Sequence, residues 1–238
     1  MLQLDLIDLG IKPLIKHTFE NFVVSEQNAQ IVAHLKYLLK TPGANYLYLW
    51  GPAGVGKSHL LQAVCEETIN KNFTANYYGF KNNFKTNFDI VNILENLELQ
   101  DVICLDDIDL IAGNYVAEEQ LFSFYNRIKD LNKTLIISGN CSILNTKILL
   151  PDLKSRLSSG VSYHLKALDD SDKKRLLQTR AHERGMTLTE ELAEYLITHG
   201  RRDITGLFDM LDRLDRASMR YKRKLSIPFA KEILFTDT

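Results

Sequence analysis

Cysteine is scarce: the chain has three in 238 residues, Cys65, Cys104 and Cys141. They are odd in number, sit in or beside apolar runs and lack metal-ligand spacing. That excludes a disulfide scaffold and a zinc module, and leaves buried free thiols in a reducing compartment. An excess of charge of either sign is also missing. With 29 Lys and Arg against 30 Asp and Glu, the net charge is −1, so bulk electrostatics do not announce a stand-alone nucleic-acid binder. Contact with DNA is expected to be indirect or local. No run approaches the roughly 18 apolar residues of a spanning helix. The N-terminus, with Asp5 and Asp8 and no early cation, does not read as a signal peptide. A cytoplasmic location without membrane contact is expected. Internal repeats and low-complexity linkers are absent too. What remains, 45% hydrophobic and 25% charged, is ordinary globular composition, long enough for one large domain, or one domain and a small satellite.

Residues 51 to 58, Gly51-Pro52-Ala53-Gly54-Val55-Gly56-Lys57-Ser58, match G-x-x-x-x-G-K-[ST] at every specified position. The apolar, aromatic run Tyr46 to Trp50 precedes them as a buried strand, and Leu60, Leu61, Val64, Cys65 and Ile69 follow at helical spacing. The phosphate loop therefore has its required context. Gly51, Gly54 and Gly56 let the backbone turn sharply and aim N–H groups at phosphate oxygens, beside the positive end of a helix. In this pattern Lys57 reaches the β- and γ-phosphates and the Ser58 hydroxyl ligates Mg²⁺, so ATP or ADP with Mg²⁺ is the expected ligand. His59, next to Ser58, is included in the candidate site.

Around this loop, strands alternate with helices. Ala75 to Phe80, Val102 to Leu105, Leu135 to Ile137 and Val161 to Leu165 read as strands. Helical spacing marks Ile31, Leu35, Leu38 and Leu39 after an N-cap at Ser25, then Ile90 to Leu97, and Leu121 to Ile128. Alternation of this kind predicts a five-stranded parallel sheet covered on both faces, an αβα sandwich. Beyond about residue 167 the strand signal stops and three helical segments follow. Asp169 or Ser171 can cap the first, and the last places Ile204, Leu207, Phe208, Leu211 and Leu214 opposite Arg213, Arg216 and Arg220. The expected organisation is an N-terminal peptide over 1–15, a nucleotide-binding domain over 16–167 and a helical lid over 168–238. The run Lys222-Arg223-Lys224 reads as a solvated helix end whose cations favour the helix dipole.

Asp106-Asp107, ending the apolar run Val102 to Leu105, completes a phosphate-loop site. A carboxylate at that strand end faces the place where Mg²⁺ sits. Asp106 is the candidate metal holder, directly or through water. Asp107 is placed to orient or deprotonate an attacking water. Asn140, after Leu135 to Ser138, suits a polar contact to the γ-phosphate or that water, and equally a turn asparagine.

The segment Asp106-Asp107-Ile108-Asp109-Leu110-Ile111-Ala112-Gly113, followed by Glu118-Glu119 and the helix through Tyr125 to Arg127, resembles the DnaA/Hda family of AAA+ ATPases. The resemblance extends through Tyr48-Leu49-Trp50, Lys57 to Leu61, Leu150 to Leu153, Ser155-Arg156-Leu157 and Leu211-Asp212. It continues through Ala217-Ser218 to Ile227-Pro228-Phe229-Ala230-Lys231-Glu232-Ile233-Leu234. It implies an AAA+ core with a helical lid. It also aligns Arg156, otherwise a solvated loop arginine, with the finger such proteins project onto a neighbour's γ-phosphate. Fingers of this kind give on the order of 10³ to 10⁵ in rate.

Gln3-Leu4-Asp5-Leu6-Ile7 looks like the family's sliding-clamp-binding peptide, although Ile7 departs from the commoner aromatic or leucine ending. Alternating leucines on a tethered segment suit peptide docking. In the lid, Thr205 stands where the family usually has an arginine reaching the nucleotide, and Arg201 or Arg202 is placed to substitute. Initiators of the family carry a DNA-binding domain after the ATPase, whereas this sequence stops at Thr238, and residues 81 to 101 look too short for the initiators' extra DNA-contacting helix.

What the resemblance implies is a negative regulator of chromosomal replication initiation. Bound to the DNA-loaded clamp, it would stimulate hydrolysis of ATP on a DnaA-type initiator through Arg156. DNA contact would run through the clamp, and a nucleotide-dependent homo-oligomer is a further option. A DNA-associated ATPase or helicase loader of the DnaC type, and a nucleotide-binding adaptor without catalysis, stay open. A small-molecule kinase fits Asp106-Asp107 and the long lid poorly.

Overall fold

The computed structural model describes residues 17–40, 42–43, 45–83, 89–201 and 203–235. Five strands, β1 (Asn45–Trp50), β2 (Ala75–Gly79), β3 (Val102–Asp106), β4 (Thr134–Gly139) and β5 (Val161–His164), form one parallel sheet in the order β2-β3-β4-β1-β5. Period two splits the apolar runs between its faces. Ile103, Leu105, Leu135 and Ile137 point one way, with Phe80, Leu94, Leu121, Phe124, Leu153 and Leu157. Val102, Cys104 and Ile136 point the other way, with Leu35, Leu60, Leu61 and Val64.

The first face is covered by α3 (Phe80–Asn83), α4 (Asp89–Leu97), α5 (Tyr115–Asp130) and α6 (Pro151–Ser158), and the second by α1 (Ala29–Leu38) and α2 (Lys57–Asn70). Because all strands run the same way, Trp50, Gly79, Asp106, Gly139 and His164 end at a single edge. There β1, lying between β4 and β5, sends its chain across to β2. That reversal opens the crevice where ligands of such sheets bind.

Beyond β5 come α7 (Asp170–Glu183), α8 (Glu190–His199), α9 (Ile204–Tyr221) and α10 (Ile227–Leu234), around their own core of Leu177, Leu192, Leu196, Leu211, Leu214 and Phe229. The side chains of Asp169, Thr189, Asp203 and Ser226 cap these four helices. Asp169 is the cap of α7, and Ser171 donates to it.

Three sequence expectations need correcting. Among the described residues the lid has four helices, not three: the short Ile227–Leu234 segment folds because it buries Phe229 and Ala230 completely. Its signals were Ser226 and the Pro228 of its first turn. Ser25 makes no cap bond; the chain enters α1 through a 3₁₀ turn, Glu26–Asn28, and the buried Asn28 amide bonds both the N–H and C=O of Lys166. Lys222 to Lys224 is not simply a solvated helix end, because Arg223 pairs with Glu232 at 2.9 Å and lies over the Phe229 ring. Among the described residues no helix is long and apolar enough to cross a membrane.

Candidate functional site

The loop between β1 and α2 is built by glycines, each for its own reason. Gly51 donates its N–H to the Gly139 carbonyl at 3.2 Å, and a Cβ there would lie 2.3 Å from the Leu165 carbonyl oxygen. Gly54 and Gly56 take φ of +81° and +103°, the left-handed region that glycine enters without steric penalty. Val55 is buried between them, while Pro52 and Ala53 are exposed. Gly56 precedes α2, and no side chain caps that helix. Its first N–H groups are therefore open to a ligand, and the helix dipole adds positive potential there.

Lys57 is 5% exposed, and its ammonium donates to the carbonyls of Gly51 (2.7 Å) and Pro52 (3.0 Å) and to Asn140 Oδ1 (3.1 Å). Burial pulls its pKa down, against the upward pull of Asp106, Asp107 and Asp109. Asp106 is 1% exposed. Its carboxylate accepts from the Tyr77 hydroxyl at 2.8 Å and from the Ser138 hydroxyl. Burial, then the neighbouring Asp106 charge, raises the Tyr77 pKa. Asp107 has φ of +61°, and its N–H donates to Ser138 Oγ at 3.1 Å. Burial, then the neighbouring Asp106 charge, raises its pKa. The Asn140 N–H donates to Asp109 at 2.6 Å. Lys57, Ser58, Asp106, Asp107 and Asn140 thus converge on one spot.

Beside this polar centre, a cavity of about 120 Å³ lies between the His17–Val23 segment, the loop and the lid, with Phe22, Val55, Ile204 and Phe208 in its walls. His59 faces it. Its Nε2–H donates to the Thr18 carbonyl at 2.8 Å, and its Nδ1 lies 3.3 Å from Nη2 of Arg180 on α7. Arg180, 5% exposed, also pairs with Glu183 at 3.0 Å and lies over the Phe208 ring. Burial lowers the His59 pKa to about 4, with His17 and Arg180 adding to the effect against the Thr18 bond. Thr205 also reaches the loop: its Oγ1 stands 3.9 Å from where a Cβ on Gly54 would be. Arg201 instead pairs with Asp203 at 3.1 Å and stays exposed, and Arg202 lies outside the described residues.

Arg156 is not gathered into this centre. It sits on a helix rather than in a loop. On α6, Leu153 and Leu157 are buried and Arg156 faces outward, exposed. Among the described residues no hydrogen bond or ion pair engages its guanidinium. Gln3, Leu4, Asp5, Leu6 and Ile7 lie outside the described residues.

Residues 14–164 match the family model of the bacterial DnaA ATPase domain, and residues 170–234 match that of the Hda lid domain. The chain belongs to the DnaA/Hda family of AAA+ proteins. A Haemophilus influenzae protein described as uncharacterized is 39% identical over 229 residues, 96% of this chain and 97% of that one. In three dimensions the chain is similar to domain III of the Thermotoga maritima replication initiation protein DnaA, with TM-score 0.79 at 21% identity over 94% of this chain and 98% of that one. The Thermotoga maritima RuvB branch migration motor is similar at TM-score 0.71 and 19% identity, over 93% and 73% of the two chains. These structural likenesses bear on the fold.

Within this DnaA/Hda fold, several residues that support the site were not singled out from sequence. Tyr77 and Ser138 orient Asp106, Asp109 holds the Asn140 backbone, and Phe22, Arg180 and Phe208 shape the cavity. Ser138 carried one faint signal, a polar side chain near the C-terminal end of the apolar run Leu135 to Ile137, whereas Tyr77, in the middle of Ala75–Gly79 beside Asn76 and Tyr78, carried none. Arg180 carried none, because nothing in its neighbourhood distinguishes it from Arg175 or Arg184. The donor set suits a phosphate: an open helix N-terminus, a buried ammonium bonded only to neutral oxygens, and glycines that leave no room for side chains. Among the described residues no three His, Cys, Asp or Glu side chains cluster to hold a metal. A cation here would draw on Ser58, Asp106 and the phosphates themselves.

Proposed function

We propose that this chain is a nucleotide-binding regulator that triggers hydrolysis of ATP on a DnaA-type initiator. ATP or ADP with Mg²⁺ would occupy the Gly51–Ser58 loop. Ser58 and Asp106 would hold the cation, and the base would enter the cavity walled by Phe22 and Phe208. The bound cation would neutralise phosphate charge. Lys57 exchanges the Gly51 and Pro52 carbonyls for phosphate oxygens, Asn140 orients the γ-phosphate side, and Asp107, with its raised pKa, accepts a proton from a positioned water. Thr205 and Arg180 set the lid against the core, so nucleotide binding tunes the angle between them. Solved DnaA structures with AMPPCP carry related folds, which supports an adenine nucleotide here.

Arg156 is the observation that carries the regulatory reading. An exposed guanidinium on a rigid helix, with no partner among the described residues, suits a finger for a neighbouring molecule's nucleotide far better than a contact within this chain. Gln3 to Ile7 would dock on the sliding clamp and bring Arg156 to initiators working on the same DNA. A second reading, an adaptor that uses nucleotide only to brace its lid, is favoured by Thr205 in place of a cation and by Arg201 turned to Asp203. Both features also predict weak turnover by the isolated protein.

Single-turnover hydrolysis of ATP preloaded on the cognate initiator, with clamp-loaded DNA, separates the readings. Acceleration by about 10³-fold or more, lost in Arg156→Ala and in Gln3→Ala, is expected. No acceleration while the clamp is still bound leaves the adaptor.

A further inference from the structure

The sheet opens at its other edge too. Opposite the phosphate loop, where β1, β4 and β5 begin, Tyr46, Leu135 and Val161 of the strands and Tyr125, Ile128 and Lys129 of α5 line a cleft of about 440 Å³. The three α5 residues stand at i, i+3 and i+4 and so share one face of the helix. Small-molecule sites occupy roughly 300 to 1,000 Å³ and combine apolar walls with a few polar groups. This cleft has that composition, and none of the nucleotide-site residues lines it.

Its polar groups are underused by the protein itself. Gly160, also in the wall, makes room for Tyr46: a Cβ there would lie 2.1 Å from Cδ1 of that ring. The Tyr46 ring packs edge to face on Tyr125, with centroids 5.2 Å apart. Its hydroxyl is buried and has no hydrogen-bond partner among the described residues, an arrangement that costs free energy until a partner arrives. Burial, then the neighbouring Tyr48 and Tyr125, raises its pKa, so it stays a neutral phenol. The Tyr125 hydroxyl has only a long contact, 3.4 Å to Ser159 Oγ, and that serine donates instead to the Arg156 carbonyl at 2.7 Å. Of the two lysines in the walls, Lys133 pairs with Asp101 at 2.9 Å. Lys129 is exposed, and among the described residues no ion pair engages it. No carboxylate lines the cleft.

We infer that this cleft binds a small organic carboxylate with an apolar body. Lys129 supplies the cation for the carboxylate, and Ile128, Leu135 and Val161 supply the apolar walls. The phenols of Tyr46 and Tyr125 fix the orientation, and a polar group on the ligand is the partner that the Tyr46 hydroxyl lacks. One free lysine beside apolar walls suits a single negative charge better than a polyanion. The site lies at the opposite edge of the sheet from the nucleotide crevice. The inference stands apart from the regulatory reading, since its test contains neither clamp nor initiator.

Titration calorimetry of the full chain with 4-hydroxybenzoate, benzoate and the neutral 4-hydroxybenzyl alcohol tests the site. The first should bind saturably with a Kd below about 1 mM, and the alcohol at least about tenfold more weakly. Lys129→Ala, at an exposed position, should weaken 4-hydroxybenzoate about tenfold or more. Tyr46→Phe separates a ligand role from a structural one. Removing an unpaired buried hydroxyl should raise the Tm of the free protein by about 2 to 4 °C, while 4-hydroxybenzoate loses about fivefold in affinity and benzoate keeps its own. Adding ADP with Mg²⁺ should leave all three titrations unchanged. No saturable binding of either carboxylate overturns the inference. So does equal binding of the alcohol, undiminished binding in Lys129→Ala, a lowered Tm in Tyr46→Phe, or displacement of the probe by ADP.

Discussion

The N-terminus of α2 and those of the four lid helices meet opposite fates. Each lid helix closes its own N–H groups with Asp169, Thr189, Asp203 or Ser226, and each packs around one small core. Helix α2 begins at Gly56 with no side-chain cap. A capped end is a structural end, whereas an open one beside a buried lysine stands ready for an anion. The two regions also differ in how they cohere. The sheet is held from both faces by separate apolar clusters, while the lid depends on one cluster and touches the loop through a few groups, Arg180 on His59 and Ile204 with Thr205 near Gly54.

The largest test of that contrast is Phe229→Ala. Removing a fully buried ring from the lid core should destabilise by about 3–5 kcal/mol. Calorimetry should then show the lid melting ahead of the sheet as a separate transition. A single shifted transition would mean that the two regions unfold as one unit.

The junction itself is pH-sensitive. His59 titrates near 4 in the folded chain against 6.5 unfolded, so the folded state binds fewer protons between those values. Stability is full above about pH 6.5, falls as the pH drops towards 4, and loses about 3 kcal/mol in total from this group. Unfolding midpoints measured from pH 7.5 to 4.5 should fall less steeply in His59→Gln than in the unmodified chain. Parallel curves would remove His59 from the junction's energetics.

The smallest effect probes the sheet edge. Tyr77→Phe deletes the hydroxyl that donates to Asp106 at 2.8 Å and should weaken Mg-nucleotide binding about fivefold, near 1 kcal/mol. The apo fold should keep its Tm within a degree or two. Titration calorimetry with and without Mg²⁺ separates metal positioning from nucleotide binding, and equal losses in both conditions would assign Tyr77 to packing alone.

Much of the sheet region was legible in the sequence because its signals are local. The phosphate loop is eight consecutive residues, and Asp106-Asp107 ends a continuous apolar run. Strand and helix periods separate cleanly around both. The lid was read less completely. α10 is too short to show a period of its own, and it folds because Phe229 completes a core assembled from α8 and α9. Arg156 is proposed as a finger only through the family resemblance, since an exposed arginine on a helix has no distinguishing chemistry by itself.

The sequence by itself determined the parallel αβα order, the glycines whose backbone freedom the loop requires, and the places of Lys57 and Ser58 after that loop and of Asp106 at a strand end. Each follows from residue type at fixed separation along the chain. Only the tertiary structure decided that Tyr77 and Ser138 hold Asp106, that Arg180 crosses from the lid to His59, and that Lys57 meets Asn140 across 83 residues of sequence. Those contacts join elements that are remote along the chain. Their partners are chosen by how sheet and lid pack together, and no local pattern in the sequence encodes that choice.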